Sequence, residues 1–133
     1  MKVVCDTNVL IAGLVADGLC RDIVKRRLPM QELFVSRILL AELDDKLREK
    51  FEIEPDDVPL LAAYRERAHL VEPAPLPKAV CRDPDDDAVL AAAVAARADV
   101  IVTGDNDLLV LKEYEGVRIL SPRQFVELLD RVE

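Results

Sequence analysis

The chain has 133 residues, 51% of them hydrophobic, with a formal net charge of −8 and a pI near 4.7. That length and apolar content suit one compact domain, residues 1–133, with a real core. The acidity argues against a simple electrostatic clamp on nucleic acid or on an anionic membrane. It leaves nucleic acid open as a substrate, because metal ions neutralise an acidic cleft locally.

Cys5, Cys20 and Cys81 are odd in number and lack CxxC spacing, so they read as free thiols in a reducing cytosol. The chain runs straight into "MKVVCDTNVLIAGLV", with an aspartate inside the apolar stretch, which is no signal peptide. No apolar run approaches the roughly 20 residues of a membrane span, and a soluble cytoplasmic protein is expected.

"KVVC" is a β-branched run ending at Asp6 and reads as the first strand. "NVLIAGLVADG" reads as helix up to Gly18, and "CRDIVKRRL" as a second helical piece before Pro29. Its Arg21, Lys25, Arg26 and Arg27 form either a solvated face or a guide for a nucleic-acid strand. "LFVS" reads as a strand, and "RILLAELDDKLREKF" as a helix with Leu39, Leu40, Leu43 and Leu47 at helical spacing. On that helix Asp44, Asp45, Lys46, Arg48 and Glu49 read as a solvated face. "PDDVPLLAAYRERAHL" predicts another helix if Pro59 lies in its first turn. "EPAPLPKAVCRDP" is extended and forms the longest loop. An Asp-headed alanine helix follows, then the strand "VIVT", the turn "GDNDLL" and the strand "VRIL". "SPRQFVELLDRV" opens with Ser121 as N-cap and Pro122 at the first helical position. Short, continuously apolar strands alternating with helices predict an α/β fold: a parallel sheet of four to five short strands with helices on both faces.

In such sheets ligands bind beyond the carboxyl ends of the strands, where the following helices also begin. Asp6 ends the first strand, Asp105 and Asp107 follow "VIVT", and Asp83 to Asp87 head the helix leading into it. Glu42, near the start of the helix after "LFVS", adds a fourth acidic feature beside the apolar Leu39 and Leu43. Each has a structural reading: an N-cap for Asp6, a surface glutamate for Glu42, a capped turn for Asp105 and Asp107. Together they point to a hard divalent cation, because converging carboxylates raise one another's pKa. Within the aspartate run, Asp83 and Pro84 fit N-cap and N1. Helical periodicity directs Asp85 away and leaves Asp86 and Asp87 straddling the direction of Leu90 and Val94.

"VCDTNVLIAGL", "SRILLAELDDKL", "DDDAVLAAAVAARADVIVTGDNDLL" and "VRILSPRQFVELL", in that order, resemble the PIN-domain family of metal-dependent ribonucleases. The last segment looks most like the toxin branch of prokaryotic toxin–antitoxin pairs. The resemblance implies a PIN-like three-layer sandwich and a four-carboxylate site of Asp6, Glu42, Asp87 and Asp105 holding Mg²⁺ or Mn²⁺. It favours Asp87 over Asp86 as the third acid, with Asp86 accessory. It adds Asp107 as a further acid at the metal, and Asn8, Ser36 and Thr103 as polar lining. The implied activity is endoribonuclease hydrolysis of RNA by a metal-activated water, without a further general base. An antitoxin partner and a homodimer follow by analogy. The single His69 reads as surface or structural. A non-catalytic module acting through a protein partner is the rival from another class. A Mg²⁺-dependent phosphotransfer protein is a third reading, weakened because "DTN" lacks the second aspartate of a DxD signature.

Overall fold

The computed structural model describes residues 1–132. Strand β1 (Lys2–Cys5) leads into α1 (Thr7–Val15), and α2 (Leu19–Asp22) continues through a π-helical turn at Ile23–Arg27 and a 3₁₀ turn at Leu28–Met30. β2 (Glu32–Ser36) is followed by α3 (Arg37–Phe51), a 3₁₀ turn at Pro55–Asp57, α4 (Pro59–Arg67) and β3 (His69–Val71). After the proline-rich loop come α5 (Pro84–Ala96), β4 (Val100–Val102), α6 (Asn106–Leu109), β5 (Glu113–Tyr114), β6 (Val117–Leu120) and α7 (Pro122–Val132).

The local chemistry of several helix starts is visible. Pro59 and Pro84 occupy first-turn positions, where the missing N–H costs nothing. Ser121 and Gln124 form a reciprocal capping box: the Gln124 N–H donates to Ser121 Oγ at 3.1 Å, and the Ser121 N–H to Gln124 Oε1 at 2.9 Å.

The six strands form one sheet in the order β3-β2-β1-β4-β6-β5, parallel except for the β5–β6 hairpin. Two short edge strands, β3 and β5, take the sheet beyond the expected four to five. "HL" at residues 69–70, read from sequence as a helix end, is instead the start of β3, which pairs with β2 from Phe34 to Ser36. Side chains alternate across the sheet. Val3, Cys5, Val100 and Val102 pack under α1, α3, α4 and α7, with Leu43, Leu47, Leu61, Phe125 and Leu129 buried there. Val4, Ile101 and Ile119 face α5, whose Val89, Leu90, Ala92 and Ala93 are at most 1% exposed. The alanines let α5 approach the strands closely, as an all-round apolar helix under a sheet requires.

Gly13 marks another close approach. A Cβ there would stand 2.7 Å from Val24 Cγ2 and 2.8 Å from the backbone oxygen of Cys20. Arg21 adds to this joint by donating from Nε to the Gly13 carbonyl at 2.8 Å and from Nη2 to that of Leu14 at 2.9 Å. Gly13→Ala is therefore expected to destabilise the fold by about 1–3 kcal/mol in urea unfolding, despite alanine's better helix propensity. An unchanged or raised midpoint would show that the π-helical turn moves aside freely.

The direction in which strands are added reverses between the parallel neighbours β1 and β4: β1 to β3 extend the sheet one way, β4 to β6 the other. Residues just beyond the carboxyl ends of β1 and β4 flank a crevice, the place where open α/β sheets bind ligands.

Candidate functional site

Asp6 lies directly at that crevice, at the N-cap position of α1, and its carbonyl accepts the Val9 and Leu10 N–H groups at 3.1 and 3.2 Å. Its carboxylate makes no cap hydrogen bond. It turns to β4 instead, where Thr103 donates from Oγ1 to Asp6 Oδ2 at 2.7 Å. The same Thr103 oxygen accepts the Asp105 N–H at 3.0 Å. Thr103 is fully buried, so it holds Asp6 and Asp105 in fixed relation across the two strand ends. Asp105 in turn caps α6, accepting the Asp107 N–H on Oδ1 at 2.8 Å.

From the opposite side α5 contributes Asp86. It is 6% exposed and heads the stripe formed by Val89, Leu90 and Ala93, which packs onto the sheet. Oxygens of Asp86, Asp105 and Asp107 lie within 4.8 Å of one another. Asp107 also takes both contacts of Arg82 Nη2, at 2.9 and 3.1 Å.

Asp87, the expected third acid, points elsewhere. Its Oδ1 accepts the Cys81 N–H at 2.8 Å and its Oδ2 the Val80 N–H at 3.2 Å, so it anchors the end of the proline-rich loop. The wheel placed Leu90 and Val94 together on the buried face, but Val94 is 40% exposed. The face that packs is rotated one residue back, and Asp86 heads it. Asp85 is exposed, as periodicity indicated, and Asp83 caps α5 by accepting the Asp85 N–H at 2.9 Å.

Glu42 does not join the aspartate group. Its Oε1 holds Lys46 Nζ at 3.0 Å, one helical turn along α3. The ammonium also reaches Asn8 Oδ1 at 3.3 Å and lies within the field of Asp6 and Asp85. Lys46 was grouped with the solvated face of α3, yet its long side chain runs back toward the helix N-terminus and the carboxyl edge. The i,i+4 spacing of Glu42 and Lys46 was the available signal. Ser36 is committed to structure, its Oγ accepting the Leu39 N–H at 3.2 Å as the N-cap of α3. His69 sits on the edge strand β3 with its ring 5.2 Å from that of Phe34, two strands from β1.

Burial and like charge set the electrostatics. Asp86 is pushed up to about 7, first by burial and then by the neighbouring Asp105 and Asp6. Asp6 is raised by burial and by Asp105, a rise opposed by the Thr103 hydrogen bond and by Lys46. The cluster from α5 and the β4–α6 turn consists of carboxylates alone, with Asp6 joined to it through Thr103, which is the donor chemistry of Mg²⁺ or Mn²⁺. A divalent ion would offset the neighbouring negative charge that raises Asp86. The three cysteines are free, and burial raises all three thiols, Cys81 to about 11 with Asp87 adding to the rise.

A doubly wound sheet with buried carboxylates at its switch point defines a class of α/β proteins that bind ions and phosphates at the strand ends. Residues 2–107 match the family model of the PIN domain, and the chain belongs to that family. The family is one of nuclease-type domains that act on nucleic acid and usually bind a divalent metal. Comparison with curated proteins gives no match. No helix among the described residues is long and apolar enough to cross a membrane.

Proposed function

We propose that this protein is a Mg²⁺- or Mn²⁺-dependent endoribonuclease whose site is the cluster of Asp6, Asp86, Asp105 and Asp107, bordered by the Glu42–Lys46 pair. The observation that carries this reading is the convergence of buried Asp6 and Asp86 with half-buried Asp105 and Asp107 at the β1–β4 switch point, with Thr103 bridging Asp6 and Asp105. When bound, a divalent ion supplies Lewis acidity and a water that ionises near neutral pH. Thr103 fixes the direction of Asp6. Asp105 is held by its own α6 turn, so neither acid reorganises when charge develops nearby. Lys46, at the rim, offers a positive charge to a phosphate and keeps Glu42 oriented. The clustered groups are carboxylates, which suit holding an ion that activates water. Single-stranded or looped RNA fits a recessed crevice, because its phosphates can be presented there without a duplex partner.

Within this reading, the likeness of residues 117–129 to the toxin branch makes an antitoxin-regulated, homodimeric ribonuclease the specific form. The deciding experiment is cleavage of single-stranded RNA with Mn²⁺ or Mg²⁺ by the parent chain, Asp6→Asn and Asp105→Asn. Metal-dependent cleavage by the parent and loss in both variants is the expected result. Cleavage that survives in both sinks the site assignment, and no cleavage of any RNA favours a module acting through a protein partner.

A further inference from the structure

Seven of the 18 lysine and arginine side chains of this acidic chain form ion pairs among the described residues. Arg26 pairs with Asp22, Arg27 with Asp130, Arg48 with Glu54, Arg65 with Asp44 and Arg82 with Asp107. Arg21 caps α1. Within the basic run at residues 21–27, Arg21, Arg26 and Arg27 thus have partners in the chain. Two cations, Lys46 and Lys50, lie on the last turns of α3. Lys46 touches Asn8 and Glu42, and Lys50 has no ion-pair or hydrogen-bond partner among the described residues. Next to Lys50 stands Phe51, 43% exposed, the one exposed aromatic among the described residues.

These three side chains line one feature. A groove of about 580 Å³ runs between α1 and α3, floored by Ile11 and Val15 and rimmed by Lys46, Lys50 and Phe51. One end is lined by Asn8, two residues along the chain from Asp6, and the other by Asp17. An apolar floor with cations at the rim and an exposed ring matches single-stranded nucleic acid, whose phosphates seek the ammonium groups while the bases seek flat apolar surface.

We propose that the α1–α3 groove carries the RNA segment adjoining the scissile phosphate, with Lys46 and Lys50 on its phosphates and a base stacked on Phe51. The proposal rests on the nuclease reading, because it needs a strand that continues out of the acidic crevice.

The test is binding, measured by anisotropy of a labelled single-stranded oligouridine in the presence of Mg²⁺. The full chain carries Asp105→Asn so that cleavage does not intervene. Lys50→Glu is expected to weaken binding about tenfold and to lower the salt slope by about 0.7 per lost phosphate contact. Phe51→Ala is expected to weaken it about fivefold or more, the scale of one lost stacking contact. Arg131→Glu makes the same charge change on α7 and should stay within about twofold of the parent. Equal losses in Lys50→Glu and Arg131→Glu, or an unaffected Phe51→Ala, would overturn the groove assignment. So would a Phe51→Ala chain that binds RNA normally but loses self-association, since the groove would then be a contact between copies. Residual cleavage by the Asp105→Asn chain would instead count against the catalytic reading, while the binding series would still judge the groove.

Discussion

Asp86→Asn is expected to lower RNA cleavage by roughly a hundredfold or more, the scale of losing one preorganised electrostatic group. Its neighbour Asp87→Asn should leave the cleavage rate within a few-fold and lower stability instead. The two aspartates are adjacent in sequence and chemically identical, so the difference comes only from where their carboxylates go. Asp86 is buried against Asp105 and Asp107. Asp87 spends both oxygens on the backbone N–H groups of Val80 and Cys81. An amide at residue 87 keeps one acceptor but turns an N–H₂ toward a backbone donor, which costs about 1–3 kcal/mol. Initial rates in Mn²⁺ and urea midpoints on the same preparations separate the two effects. A large rate loss in Asp87→Asn with intact stability, and a small one in Asp86→Asn, would return the third acid to residue 87.

Without divalent ions, the protein is expected to lose stability as pH rises from about 4 to above 7. The folded-state value of Asp86 is about 7, against about 3.9 for an exposed aspartate in the unfolded chain. Across that interval the native state holds a proton that the unfolded state has released. The stabilising contribution is therefore complete at low pH and disappears as Asp86 ionises. Asp6 is displaced in the same direction and adds to the slope. Mn²⁺ should restore the lost stability at pH 8 and do less at pH 5.5, where it competes with the proton. Asp86→Asn should raise the ion-free melting temperature at pH 8 by roughly 5 °C, flatten the pH slope and reduce the shift on adding Mn²⁺. Calorimetry or dye-monitored melting in chelator and in Mn²⁺ gives these values directly. An ion-free Asp86→Asn chain that melts at or below the parent at pH 8 would show that the carboxylate carries no such strain.

Much of the architecture was legible along the chain. The β-branched runs at residues 2–5, 32–36, 100–102 and 117–120 are strands, and the leucine spacing after Ser36 is a helix. The capping signals at Asp83–Pro84 and Ser121–Pro122 start helices where they occur. The parallel sheet with helices on both faces follows from that order of elements. The two-residue β5 and the three-residue β3 escaped because each is too short for a period and exists only by pairing with a neighbour.

What the sequence by itself determined is that Asp6, Asp105 and an acid of the 85–87 run share the carboxyl edge of one sheet, because strand ends and helix starts must meet there. It could not determine whether Asp86 or Asp87 enters the crevice. α5 is apolar on every side from Ala88 to Ala96, so its periodicity names no buried face, and only packing against β1 and β4 selects the Asp86 stripe over the Asp87 one. Tertiary contact likewise brought Lys46, paired with Glu42 one turn away on its own helix, to Asn8 of α1. Backbone signals such as caps and periods act over a few residues and are written locally. The direction of a side chain is set by whichever surface the helix finally packs on, and that surface belongs to residues far away in the chain.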